Sequence, residues 1–238
     1  MKRLILLMIT CYCLLPGHAN TDSLLQVLQT LPHDTTRLST LNDIIKIEQN
    51  NYKCIQYSDT LMQEALKLKN DKYASLAAYY HLLYYYNRSE QDSVAKWIVR
   101  MEPYVQRSGL WDYFFDAQRF QIDLYTFTEQ YELAISEANK MKQKALNTNS
   151  NRGTVAAYQC LSNAYIGSQR WNEGLKALEE AYRLLPKKGN AVVHISVLSQ
   201  LVSVTKEMKD NNRQLKYLQE LESVLRKFII DNPSLKDG

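Results

Sequence analysis

An all-α fold, an α-solenoid of about five antiparallel helix pairs, is what three features of the 238-residue sequence predict. Glycine and proline are scarce, seven and five residues in all, too few turn residues for long β-meanders or glycine-rich phosphate loops. Apolar residues recur at i, i+3, i+4 and i+7 within segments separated by polar breaks such as NRSEQD and PKKGN. The chain is also self-similar at about 37 to 40 residues, and a unit that cannot hide its apolar stripe alone does so by stacking on its neighbours.

Taken in chain order, the first segment is Met1-Lys2-Arg3, an apolar run over residues 4–15, and Gly17-His18-Ala19 before Asn20. Basic, apolar and small-residue regions in that order form a secretory signal peptide. Residues 1–19 are therefore expected to be removed, leaving an exported product, periplasmic or secreted. Residues 20–37 lead into a repeat domain over 38–228, and 229–238 form a tail or the start of a further region. Nothing from residue 20 onward is apolar enough to suggest a transmembrane segment. Cys11 and Cys13 leave with the signal, and Cys54 and Cys160 fall in different repeats, so they are expected as separate free thiols.

The fourth repeat is the clearest, YQCLSNAYIGSQRWNEGLKALEEAYRLLP over 158–186. Tyr158, Leu161, Ser162 and Tyr165 make one helical stripe, Trp171, Gly174, Leu178 and Ala181 a second, and Pro186 closes the unit. Tyr125, Tyr131, Ala134, Ala138 and Met141 repeat the pattern about 40 residues earlier. Tyr86, Ala95 and Val99 take the equivalent places before that, and Ser58, Met62 and Ala65 mark a first copy, adjusted by one residue near 50–53. Leu198, Leu201, Val202, Leu218 and Leu221 fit a fifth. The long period implies extended inter-repeat turns such as 147–153, NTNSNRG. Glycine is missing from the intra-repeat turn, and Glu102 stands where a small residue belongs. Glu179–Arg183 and Glu222–Arg226 at i,i+4 read as solvated faces.

These bulky and small residues, alternating where two helices cross, resemble the tetratricopeptide repeat over roughly residues 38–228. The resemblance implies a curved array whose first helices line a groove for a polypeptide or another subunit, a non-enzymatic binding role. Exported arrays with long, Tyr- and Asn-rich repeats also look like the N-terminal sensory regions of Bacteroides-type sensor histidine kinases, which gives a second expectation, signal input. A third is an envelope scaffold or assembly protein.

The residues themselves point away from chemistry. The sequence contains no GxSxG, HExxH, Walker, GxGxxG or CxxC pattern, so no enzyme, cofactor or metal is expected. The formal charge of +4 includes Lys2 and Arg3, and the +2 that remains without them gives no electrostatic case for nucleic acid. One stretch stands out, YYHLLYYYN at 79–87. On a helix, Tyr79, Leu82, Leu83 and Tyr86 form the expected core stripe, and Tyr80, Tyr84 and Asn87 a flanking stripe that faces either the groove or the adjacent repeat. In neighbouring copies the same flank presents Arg119, Asp123 and Thr126, then Gln159 and Asn163. That trough of aromatic and amide groups suits a peptide backbone.

Overall fold

The computed structural model describes residues 21–49, 51–186 and 190–232. The proposed signal peptide, Lys187 and Lys188, and residues 233–238 lie outside them. Among the described residues there are helices and no strands. A short α1 (Thr21–Thr30) precedes five pairs: α2 (Thr35–Glu48) with α3 (Lys53–Lys67), α4 (Asp71–Tyr86) with α5 (Gln91–Ser108), α6 (Trp111–Phe127) with α7 (Tyr131–Asn147), α8 (Asn151–Gly167) with α9 (Trp171–Leu184), and α10 (Ala191–Glu207) with α11 (Asn211–Asp231). Each helix packs on the next, and the first helices also touch along the array, α2 on α4, α4 on α6 and α6 on α8. No second helices of successive pairs pack to a comparable extent. They are bridged by long side chains instead. Glu102 of α5 pairs with Lys144 of α7, and the Tyr217 hydroxyl of α11 donates to Glu179 Oε1 of α9 at 3.1 Å. The acidic residue at a place expected to be small is thus half-buried and paired across repeats.

The turns explain the long period. Lys69, Ser89, Gly109, Glu129, Asn149, Gln169 and Lys209 all have positive φ, between 52° and 75°, and they stand 20 residues apart except across position 189, which is outside the described residues. A left-handed residue just past a helix end lets the following N–H return to a carbonyl of the last turn. Here Gln130 N donates to Tyr125 O at 2.8 Å, Ser150 N to Ala145 O at 2.9 Å, and Arg170 N to Tyr165 O at 2.7 Å. The next residue then caps the following helix in several copies. Asn70, Ser150, Asn190 and Asp210 side chains accept from backbone N–H groups of the first turn. The repeat is therefore two 20-residue units.

This corrects the expectation of long inter-repeat turns. Only residues 148–150 separate α7 from α8, as only 128–130 separate α6 from α7, and Asn151–Gly153 open α8 itself. The additional length lies in the helices, 17 residues each for α6, α7 and α8. The turn after α2 is the exception. Gln49 is right-handed, with φ −56°, in the region where the first copy needed adjustment.

Small residues sit where helices cross, and Ala134, Ala138 and Ala181 are fully buried. A Cβ on Gly174 would lie 2.7 Å from Ile166 Cγ1 and 3.3 Å from the Ser162 carbonyl, so α9 approaches α8 at glycine distance. A Cβ on Gly153 of α8 would lie 2.5 Å from the Phe115 ring of α6, so these two first helices also approach closely. Cys54 and Cys160 are buried in separate core clusters and unbonded. In the fifth pair Leu198 and Leu201 are buried as expected, but Leu218 is 42% exposed. Glu179 does not pair with Arg183, which reaches Glu180 instead.

Ala134→Leu and Ala181→Leu are each expected to lower stability by about 1–3 kcal/mol, because a close crossing has no room for the added carbons. Urea midpoints measure this, with Lys176→Ala on the exposed side of α9 as the unaffected comparison.

Candidate functional site

The 40-residue equivalence set by the turns fixes which side chains share the face of the first helices. It aligns Arg119, Asp123 and Thr126 of α6 with Gln159, Asn163 and Ile166 of α8, all half-buried. Their counterparts in α4 are Tyr79, Leu83 and Tyr86, one residue earlier than Tyr80, Tyr84 and Asn87. Tyr80 is 4% exposed, and its hydroxyl donates to Asn42 Oδ1 of α2 at 3.1 Å. Tyr84 is 9% exposed, edge-on to Tyr52 and Tyr85, with the Arg88 guanidinium 3.4 Å above its ring. The two tyrosines take the packing alternative rather than a free flank, and exposed Asn87 is the C-cap of α4. One residue is about 100° of helix rotation, enough to exchange the two stripes. Leu82 alone of the expected core stripe is fully buried.

With the register corrected, the stripe lies along the junctions between successive first helices, and its chemistry changes along the array. Between α4 and α6 it is aromatic. Tyr79 meets Tyr113 edge-on at 5.0 Å between ring centres, and Tyr86 stacks on Phe120 at 4.4 Å. Between α6 and α8 it is ionic. Arg152 donates to Asp116 at 2.8 Å, and Arg119 to Asp123 at 3.3 Å. Between α8 and α10 it is built from amides. Gln159 Nε2 donates to Ser196 Oγ at 3.1 Å and to Gln200 Oε1 at 2.8 Å, while Gln200 Nε2 donates to Asn163 Oδ1 at 3.2 Å. Thr126 spends its hydroxyl on its own helix, donating to Ile122 O at 3.0 Å.

Burial dominates the electrostatics of this face. It pushes the Asp123 carboxyl up to about 6, against which the Arg119 charge acts only in part. Burial likewise raises Asp116 despite Arg152 and Arg119, and raises the Tyr79 phenol and the Cys160 thiol. Burial thus disfavours the charged form of each group relative to water, and the face offers hydrogen-bond donors, acceptors and aromatic area in place of a poised nucleophile. Elsewhere, His81 is buried against Trp97, ring centres 4.0 Å apart, with Asp59 3.1 Å from its Nε2. Among the described residues no three His, Cys, Asp or Glu converge as metal ligands.

Sequence reasoning missed Ser196 and Gln200 because they join the face from α10, and Asp116 and Arg152 because they lie nearer the N-termini of α6 and α8 than the residues it named there. Capping residues separated by multiples of 20 positions, Asn70, Ser150, Asn190 and Asp210, are the signal that fixes the register.

No family model matches the sequence, and no curated protein matches it. Among solved structures the chain is similar to the crystal structure of BtubC (BKLC) from P. vanneervenii, with a TM-score of 0.61, 13% identity and 87% of each chain covered. The likeness is one of fold: the chain is a helical-repeat protein.

Asp123 makes this face pH-dependent. Its folded value near 6 lies above the ordinary 3.8, so in that window the folded chain holds a proton that the unfolded chain has released. Stability is therefore expected to fall as pH rises from about 4 to about 6, by an amount on the order of 1–3 kcal/mol, and Asp123→Asn to reduce that fall, with Asp116 accounting for what remains. Urea midpoints of both proteins across the window check it.

Proposed function

We propose that this chain is a tetratricopeptide-type binding module that holds an extended polypeptide, free or as part of another subunit, along the face of its first helices, with no reaction of its own. The succession of aromatic, ionic and amide junctions on one continuous face carries the reading. A peptide crossing it would lay an apolar side chain by Tyr79 and Tyr86, a charged one by Arg119 and Asp123, and its backbone amides by Gln159 and Asn163. The amide end keeps hydrogen-bonding capacity in reserve. Among the described residues Asn163 Nδ2 has no acceptor. The basic–apolar–small N-terminus supports action outside the cytoplasm, with residues 1–19 removed.

Panning a random peptide library against the immobilised chain tests the binding. Enriched peptides are expected to lose roughly five- to tenfold in affinity to Arg119→Ala and to the Gln159→Ala, Asn163→Ala pair, the equivalent of about 1 kcal/mol per lost contact. Urea midpoints should stay close to the parent's. Tyr80→Ala is expected instead to destabilise the fold. No enrichment, or peptides indifferent to these changes, would contradict the reading.

A further inference from the structure

One buried titratable group lies away from the face of the first helices. His81 of α4 is 2% exposed. At the equivalent places in α8 and α10, Leu161 and Leu201 are buried, so the position takes a leucine where packing alone decides. In α6 the same place holds Gln121, which is only half-buried and donates to the Tyr125 hydroxyl at 2.8 Å. His81 is packed like a leucine and partnered like neither. Its ring stacks on Trp97 of α5, centres 4.0 Å apart and planes within 4°. Nδ1 has no hydrogen-bond partner among the described residues, and Asp59 Oδ1 of α3, 3.1 Å from Nε2, lies off the line of a hydrogen bond.

We propose that His81 is an acid-sensitive latch at the junction of α3, α4 and α5, holding the three helices together as a neutral ring and loosening them once protonated. An imidazolium at this place is a charge taken out of water, with two nearby charges of opposite effect. Asp59 favours it, but that carboxylate is 58% exposed and mostly turned to solvent. Arg100 opposes it, its guanidinium 4.9 Å from the centre of the same Trp97 ring. Tyr85, one turn on in α4, stays neutral, its phenol raised by burial. α2 and α6 meet α4 through other residues, Tyr80 for the one and Tyr79 and Tyr86 for the other. Burial, joined by Arg100, outweighs Asp59 and holds the His81 imidazole below its ordinary 6.5. The unfolded chain then binds a proton that the folded chain does not. The latch's stability is therefore full above 6.5 and is lost as pH falls from there towards the folded value.

A pH titration of the full chain by NMR, reading the imidazole carbon-bound protons, tests this, with the His81 signal assigned by substituting the other histidines. The His81 midpoint is expected below 6.5, lower still in Asp59→Asn and higher in Arg100→Gln. Urea midpoints measure the consequence. From about pH 7 to about pH 5 the parent should lose stability relative to His81→Gln, by up to about tenfold in the folded-to-unfolded ratio for each unit by which the NMR midpoint lies under the ordinary value. The opposite effect of Asp123 is common to both proteins and drops out of the difference. A His81 midpoint at or above 6.5, a midpoint that Asp59→Asn leaves unmoved or raises, or a difference between parent and His81→Gln that is the same at both pH values would overturn the proposal.

Discussion

A residue in the left-handed backbone region ends the helices at 20-residue intervals from Lys69 to Gln169, and again at Lys209. It turns the chain back on itself in three residues, returns the orphaned amide to the helix just finished, and hands the next residue over as a cap. L-residues pay about 1–2 kcal/mol for this conformation, and among the described turns only Gly109 avoids it. Two amide hydrogen bonds per turn and the packing of the next helix offset that cost. Because the interval is constant, residues 40 positions apart occupy equivalent places in successive pairs. The crossing alanines, the covered apolar residues of α7 and α9, and the stripe along the first helices are all consequences of that one spacing.

The face of the first helices is also where the array is least complete as a core. Aromatic groups bury area there and keep their hydroxyls near water, while Asp116 and Asp123 are partly stripped of solvent without full compensation by Arg152 and Arg119. Half-satisfied polar groups weaken a core and suit a surface that is finished by something else. By contrast the crossings of second helices on first are closed mainly by alanine and glycine.

How far the sequence revealed this varied with how much phase each segment carried. The fourth pair was legible because Gly174 and Ala181 alternate with Trp171, Leu178 and Tyr165, and only one packing arrangement reconciles those sizes. In YYHLLYYYN bulky residues occupy every position but the last, so the apolar pattern has a helical character without a phase, and a slip of one residue exchanged core and face. The left-handed turns were hidden for a different reason. Glu129, Gln169 and Lys69 carry no glycine or asparagine signature, and hydrogen bonds from the following residue hold them in place. Leu218 was read as part of an ordinary core stripe and is 42% exposed, since a single sequence does not show which helix lacks its cover.

The central claim, that left-handed turns set the spacing on which the array depends, is tested most directly by the equilibrium unfolding of Glu129→Gly beside Glu129→Val. Glycine relieves the backbone cost and is expected to raise the urea midpoint, while valine, β-branched and most opposed to positive φ, is expected to lower it, a separation on the order of 1–2 kcal/mol. Equal midpoints for the two variants would show that residue 129 does not need this conformation, and would contradict the account.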